Sequence, residues 1–326
     1  MKTSVLTAVT TTLLAANLAG AAPWIKSEGS INFDVTGKKS ADYERDLRIQ
    51  DAELRFEIFL REGVKAVVKA ELERKLNSDT RKEDLNWEQL LEEAYIEVQT
   101  DKMGLPQATV IFGKHSIAFG QKVTEIPMFK DALLYSLNRQ DEVVGLTVAL
   151  PANYLKIVDS VAISLFEAGA GDFKISDEKG YSIKLGKALT KQLQAQVSAM
   201  MKENAQTSKS ESRVSVGLVF TDAAGKMKVW AEGLIINNHP LYGNTQGLTV
   251  GGSYKVGPGS VVLELSNLQD VAREAVVAYN MPVTRFMVLS PEVRLRENQD
   301  GSDETTVGIR ARLQHQAELK TKLRKG

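Results

Sequence analysis

From residue 29 onward, apolar and polar residues alternate with period two far more often than with period 3.6, the signature of strands that bury one face. In Leu54-Arg55-Phe56-Glu57-Ile58, followed by Leu60, one face is apolar and the other mostly charged. Val64, Ala66, Val68, Ala70 and Leu72 share a face, and Lys65, Lys69, Glu71 and Glu73 share the opposite one. Ala94, Ile96 and Val98 oppose Glu93, Tyr95, Glu97 and Gln99; Val307, Ile309, Ala311 and Leu313 oppose Gly308, Arg310 and Arg312. A helix would scatter these charges around its circumference. The pattern predicts sixteen strands, at 29–36, 47–61, 64–76, 91–100, 107–114, 143–150, 155–167, 180–188, 192–203, 212–221, 226–236, 246–256, 259–267, 272–281, 283–297 and 304–314.

The connections carry a second pattern. Tight ones, at Glu62-Gly63, Pro151-Ala152-Asn153, Asp222 to Gly225, Gly257-Pro258 and Met281-Pro282, alternate with longer polar ones at 37–46, 77–90, 115–142, 168–179, 204–211, 237–245 and 298–303. An even strand number, two-faced strands and loops sorted by length point to an all-β chain forming a single transmembrane antiparallel β-barrel. Apolar and charged faces need two solvents, and a barrel meets lipid outside and water inside, with closure removing unpaired edges. Trp24, Tyr43, Trp87, Tyr95, Tyr154, Tyr181, Trp230, Tyr242 and Tyr279 are the candidates for the aromatic girdles. The alternative is an exported periplasmic or surface β-protein with a binding or structural role.

The amino terminus and the composition narrow the compartment. Met1-Lys2 is a short positive region, Val5 to Leu18 is uncharged, and Ala19-Gly20-Ala21 offers small residues to a signal peptidase. The reading is a signal peptide at 1–21 with cleavage after Ala21, a barrel over 22–314 and a basic tail at 315–326. Such a chain is expected in the bacterial outer membrane, among lipid and lipopolysaccharide. The chain has no cysteine, which excludes disulfide scaffolds, thiolate metal sites and cysteine nucleophiles. Lys and Arg number 41 against 41 Asp and Glu, and this balance argues against a nucleic-acid partner.

Gly113-Lys114-His115-Ser116-Ile117-Ala118-Phe119-Gly120, then Lys130-Asp131-Ala132-Leu133-Leu134 and Arg139-Gln140-Asp141-Glu142, resembles the bacterial siderophore-porin family of the LbtU type. Gly113, Lys114, Phe119, Gly120, Asp131 and Leu133 match its elements, whereas Ala118 and Ala132 stand where the family has proline. The resemblance covers about residues 90–150. It implies an outer-membrane porin and, more specifically, siderophore cargo.

Connection 115–142 is the longest. In sixteen-stranded porins the corresponding loop folds inward and narrows the channel. On that analogy Lys122, Glu125, Lys130, Asp131, Arg139, Asp141 and Glu142 are constriction charges; otherwise they belong to a solvated surface loop. Phe119, Ile126, Met128, Phe129, Leu133 and Leu134 favour folding in. Across the lumen, Arg55, Arg61, Lys65, Lys69, Arg294, Arg296, Arg310 and Arg312 fall on polar faces of adjoining strands and form a candidate basic wall that would favour anions. Glu57, Glu71, Glu73, Asp34 and Glu292 share these strands and could pair with the bases.

Catalytic patterns are missing. His115, His239 and His315 have no metal-ligand spacing, and there is no G-x-S-x-G elbow, P-loop or complete G-x-G-x-x-G. The expectation is a channel for diffusion of small polar solutes, not an enzyme, with no cofactor and no metal. By analogy of fold, its assembly would be a homotrimer.

Overall fold

The computed structural model describes residues 24–39, 43–71, 91–121, 125–126, 132–134, 137, 143–151, 157–168, 178–204 and 209–320. They form sixteen strands. These are β1 (Trp24–Lys39), β2 (Tyr43–Arg61), β3 (Val64–Glu71), β4 (Leu91–Gln99), β5 (Thr109–His115), β6 (Val143–Pro151), β7 (Ser160–Ala168) and β8 (Glu178–Ala188). There follow β9 (Leu193–Asn204), β10 (Lys209–Thr221), β11 (Met227–His239), β12 (Gly243–Val256), β13 (Gly259–Leu268), β14 (Ala272–Thr284), β15 (Met287–Asn298) and β16 (Asp303–Lys320). Each strand pairs antiparallel with its neighbours in the chain, and β1 also pairs with β16, so the sheet closes into a barrel.

Alternation decides which way each side chain points. Along β10, Glu211, Arg213 and Ser215 are buried, while Val214, Val216 and Leu218 between them are exposed. Phe112 at 64%, Leu165 at 58% and Val35 at 57% exposure belong to the same outward set. A soluble monomer seldom exposes a contiguous apolar patch beyond a few hundred Å². A wall of such residues around a closed barrel fits hydrocarbon, and the fold is a transmembrane β-barrel.

Both ends of the described chain lie at the rim with the tight turns. Trp24 pairs with Phe59 just before the Glu62-Gly63 turn, and Leu313 pairs with Met287 just after the turn at Arg285-Phe286. Gly63 has φ +76, a left-handed conformation that a side chain at this two-residue turn would resist. At the Asp222 turn, the carboxylate accepts the backbone N–H of Lys226 at 2.6 Å and of Met227 at 2.8 Å.

All sixteen expected strands are present, but several boundaries move. β1 starts at Trp24 instead of residue 29, and β16 runs to Lys320, past the expected end at 314. The segment expected as a tail from 315 therefore continues the sheet as far as Lys320, Trp24 pairing with Lys320 and Gly29 with His315. Ser27, Gly29 and His315 break the apolar run, so the alternation fades although the hydrogen-bonded seam continues. The turn between β14 and β15 falls at 285–286, not at Met281-Pro282; Pro282 sits within β14 opposite Val288, beside a register shift, where a missing N–H is tolerated. Two expected girdle residues face inward: Trp230 is 1% exposed and donates Nε1 to Glu264 at 2.8 Å, and Tyr95 accepts from Arg55 at 3.0 Å. Trp87 and Tyr154 lie outside the described residues, as do the signal-peptide residues 1–21 and the last six residues, 321–326.

Candidate functional site

The lumen is lined by charges that pair across strands. On β2 to β4, Arg55 bonds Glu93 at 2.9 Å and Glu57 at 3.3 Å. Lys65 bridges Glu57 at 3.5 Å and Glu97 at 3.1 Å, and Lys69 bridges Glu53 at 2.8 Å and Glu92 at 2.7 Å. On β14 to β16 and β1, Arg296 holds Glu274 at 2.5 Å, Arg294 holds Glu292 at 2.9 Å, and Arg312 donates Nε to Asn32 at 3.0 Å. Arg310 grips Asp34 with two 2.7 Å bonds, and both side chains are essentially sealed from solvent. Arg61 ends β2, exposed, beside the Glu62-Gly63 turn. Seven of the eight wall residues thus stand in networks, and both signs share single strands, with Glu53, Arg55 and Glu57 on β2 and Glu292, Arg294 and Arg296 on β15.

The described residues of connection 116–142 meet these networks at Glu93, which accepts from Ser116 at 3.4 Å, and at Glu274, and otherwise touch the wall between them. Ala118 N donates to Ser164 on β7 at 3.4 Å, and Ser182 on β8 donates to Ala118 O at 3.2 Å. Gly120 donates to Ser198 on β9 at 3.0 Å and accepts from Lys184 at 2.7 Å. Gln121 N then donates to Glu232 on β11 at 2.8 Å. Glu125 accepts from Lys228, and its carbonyl accepts from Asn280 on β14 at 2.7 Å. Leu133 N donates to Glu274 at 2.9 Å, and Leu137 O accepts from Arg213 on β10.

Apolar packing follows the same course. Ile117, Phe119, Leu134 and Leu137 cluster with Phe166, Met200, Leu234, Ile236 and Leu268, and Ile126 clusters with Trp230, Val262, Val276 and Ala278. Small wall residues make room: a Cβ on Gly247 would stand 2.3 Å from Leu134 Cδ2. Of the expected constriction charges, only Glu125 is among the described residues; Lys122, Lys130, Asp131, Arg139, Asp141 and Glu142 lie outside them. Glu232, Glu274, Lys184, Lys228, Asn280 and Arg213, which hold the segment, were not singled out from sequence. A signal for them existed, because the inner face of β11 sets Trp230, Leu234 and Ile236 around Glu232 while Val229 and Ile235 face outward.

A cavity of about 810 Å³ lies at the tight-turn end against β1, β2, β3 and β16, across the strand order from these contacts. Among the described residues no group of His, Asp and Glu is arranged to hold a metal ion.

No family model and no curated protein sequence matches the chain. Solved structures do. OmpF of Salmonella typhi, in complex with daunomycin, aligns over 89% of this chain and 97% of that one, with TM-score 0.64 and 13% identity. The fold is that of the bacterial outer-membrane porins. The anion-selective porin of Comamonas acidovorans aligns over 90% of this chain and all of its own, with TM-score 0.62 and 13% identity. OmpT of Vibrio cholerae, an outer-membrane protein in a trimer form, aligns over 90% and 100%, with TM-score 0.59 and 11% identity. At these identities the porin fold is shared while the side chains of the lumen are this chain's own.

Proposed function

We propose that this protein is an outer-membrane channel through which small polar solutes diffuse, exported with a signal peptide cleaved after Ala21. The observation that carries the reading is the pairing of an exposed apolar wall with a polar, ion-paired interior in one closed barrel. In this reading residues 22–320 are the barrel and its loops, the tight-turn rim faces the periplasm, and lipid and lipopolysaccharide surround the wall. Segment 115–142 is the constriction. Its support is the course of contacts from Ser164 to Glu274, which would hold it against β7 to β14 and leave the passage along β1 to β3 and β16.

The wall of Arg55, Arg61, Lys65, Lys69, Arg294, Arg296, Arg310 and Arg312 would bias that passage towards anions, moderated by the carboxylates paired with it. One relative in fold is an anion-selective porin, and another is a trimer; anion preference and a homotrimer are proposed here on those grounds. The resemblance of residues 90–150 to siderophore porins adds ferric siderophores as one cargo to test.

The test is conductance in planar bilayers by the detergent-folded protein. Steps of constant size in KCl are expected, larger after deletion of 121–138. A folded, heat-modifiable protein that conducts nothing would turn the reading towards a plugged or structural barrel.

A further inference from the structure

The last strand outruns its neighbour on one side. β16 lies against β1 as far as Lys320, which pairs with Trp24, whereas its pairing with β15 stops at Leu313, opposite Met287. The N–H of Gln314 still reaches Phe286 O at 2.9 Å. Successive backbone groups of a strand point to alternate sides. Because the Gln314 N–H points towards the β15 side, those of Gln316 and Glu318 do too, while His315 and Ala317 face β1. Among the described residues nothing takes the outward backbone groups of Gln316 and Glu318, and both residues are exposed.

Proteins commonly blunt such an edge with proline, a bulge or a cover. From 314 to 320 there is no proline, and the register with β1 runs without a bulge. The cavity lined by Arg285, Phe286, Gln314 and Gln316 leaves room beside the edge. A strand added there would continue the line of β15 and meet the turn at 285–286. Arg285 is exposed in that turn, 4.4 Å from the centroid of the Phe286 ring and with no acidic partner among the described residues. An antiparallel strand would bring its carboxyl end to this guanidinium; a parallel one would bring its amino end, of like charge. A second copy in the same membrane offers only the same open edge running the same way, so it cannot be the antiparallel mate.

We infer that the open edge of β16 takes up an extended carboxyl-terminal peptide of another protein as an added antiparallel strand. Its last residue falls opposite Gln316, with the carboxylate at Arg285. Its third-from-last falls opposite Glu318, where a basic side chain makes an opposite-charge cross-strand pair. The inference rests on the channel reading only in placing the partner in the periplasm.

The experiment follows, by fluorescence anisotropy, a labelled peptide Val-Thr-Val-Lys-Val-Thr with a free carboxyl end, added to the full-length, detergent-folded protein. Saturable binding is expected, about tenfold weaker for the carboxyl-amidated peptide and for Arg285→Ala. Gln316→Pro removes one outward N–H and keeps those that face β1, so the barrel folds and binding falls about tenfold. Glu318→Lys should reverse the preference, favouring the peptide with Glu in place of Lys. Arg273→Gln, on the outer wall, should change nothing. No saturable binding, equal binding of the amidated peptide, or binding that Gln316→Pro leaves unchanged would overturn the inference. Binding that appears only after removal of 321–326 would also overturn it, by showing that the chain's own end fills the edge. Should Gln316→Pro fail to fold, judged by heat-modifiable migration, the amidated peptide and Arg285→Ala decide. Loss of KCl conductance with peptide binding intact would count against the channel reading and leave the edge standing.

Discussion

Ile126 offers a quantitative test of how segment 116–142 is held. Its side chain is 1% exposed and packs with Trp230, Val262, Val276 and Ala278, with Val219 at the edge. Ile126→Ala removes three carbons from a site walled by strands of a closed sheet, which cannot collapse to fill the void. Such truncations cost about 2–5 kcal/mol. The barrel's own pairing does not depend on Ile126, so the cost falls on docking of the segment. At roughly 3 kcal/mol, the undocked fraction rises about 150-fold.

The cysteine-free chain makes this measurable, because Ala132→Cys introduces a single thiol at a buried position of the same segment. When docking is fast relative to labelling, the maleimide rate follows the undocked fraction. Labelling about two orders of magnitude faster is expected when Ile126→Ala is added. Val256→Ala, on the outer wall, serves as the control. Equal rates with and without Ile126→Ala would refute the claim that this cluster docks the segment.

Three further outcomes are expected. Asp34→Asn removes the carboxylate that the buried Arg310 holds with two bonds and should cost about 3–5 kcal/mol in urea unfolding followed by heat-modifiable migration; a loss below about 1 kcal/mol would refute the claim that this pair secures the β1–β16 seam. The Asp222 carboxyl is held below its ordinary value of 3.8 by the N–H of Met227 and then of Lys226. Its stabilisation of the turn is therefore complete above that ordinary value and is lost as pH falls through the lower folded one; a carboxyl NMR titration with a midpoint at or above 3.8 would contradict this. Amino-terminal sequencing of protein recovered from outer membranes should begin at Ala22, and a start at Met1 or recovery in the soluble periplasm would count against the export reading.

The strands were legible because alternation is a local property: Leu54 to Leu60 or Val307 to Leu313 needs no partner to be recognised. Strand ends were not, because they depend on pairing. His315 to Lys320 is a strand because Trp24 to Gly29 lies beside it, and nothing in either segment alone announces this. Arg55, Lys65, Lys69, Arg294, Arg296, Arg310 and Arg312 could be read as charges on the polar faces of their strands, but their partners depend on register. Arg310 meets Asp34 only once the barrel closes, and Arg296 meets Glu274 only because β14 and β15 align as they do. The residues holding segment 116–142 were hidden for a related reason. Glu232 and Glu274 look like ordinary lumen carboxylates until the backbone N–H groups of Gln121 and Leu133 are placed against them.

The β1–β16 seam joins residues separated by nearly the whole chain, 276 positions in the case of Asp34 and Arg310. For a chain made from its amino terminus, the strand that completes β1 is the last to exist. Until Asp303 and the residues after it are present, the sheet has two raw margins with unsatisfied N–H and C=O groups, which hydrocarbon does not accept. A copy cut short before Asp303 would keep an open flank at each end of its sheet, β1 on one side and β15 on the other.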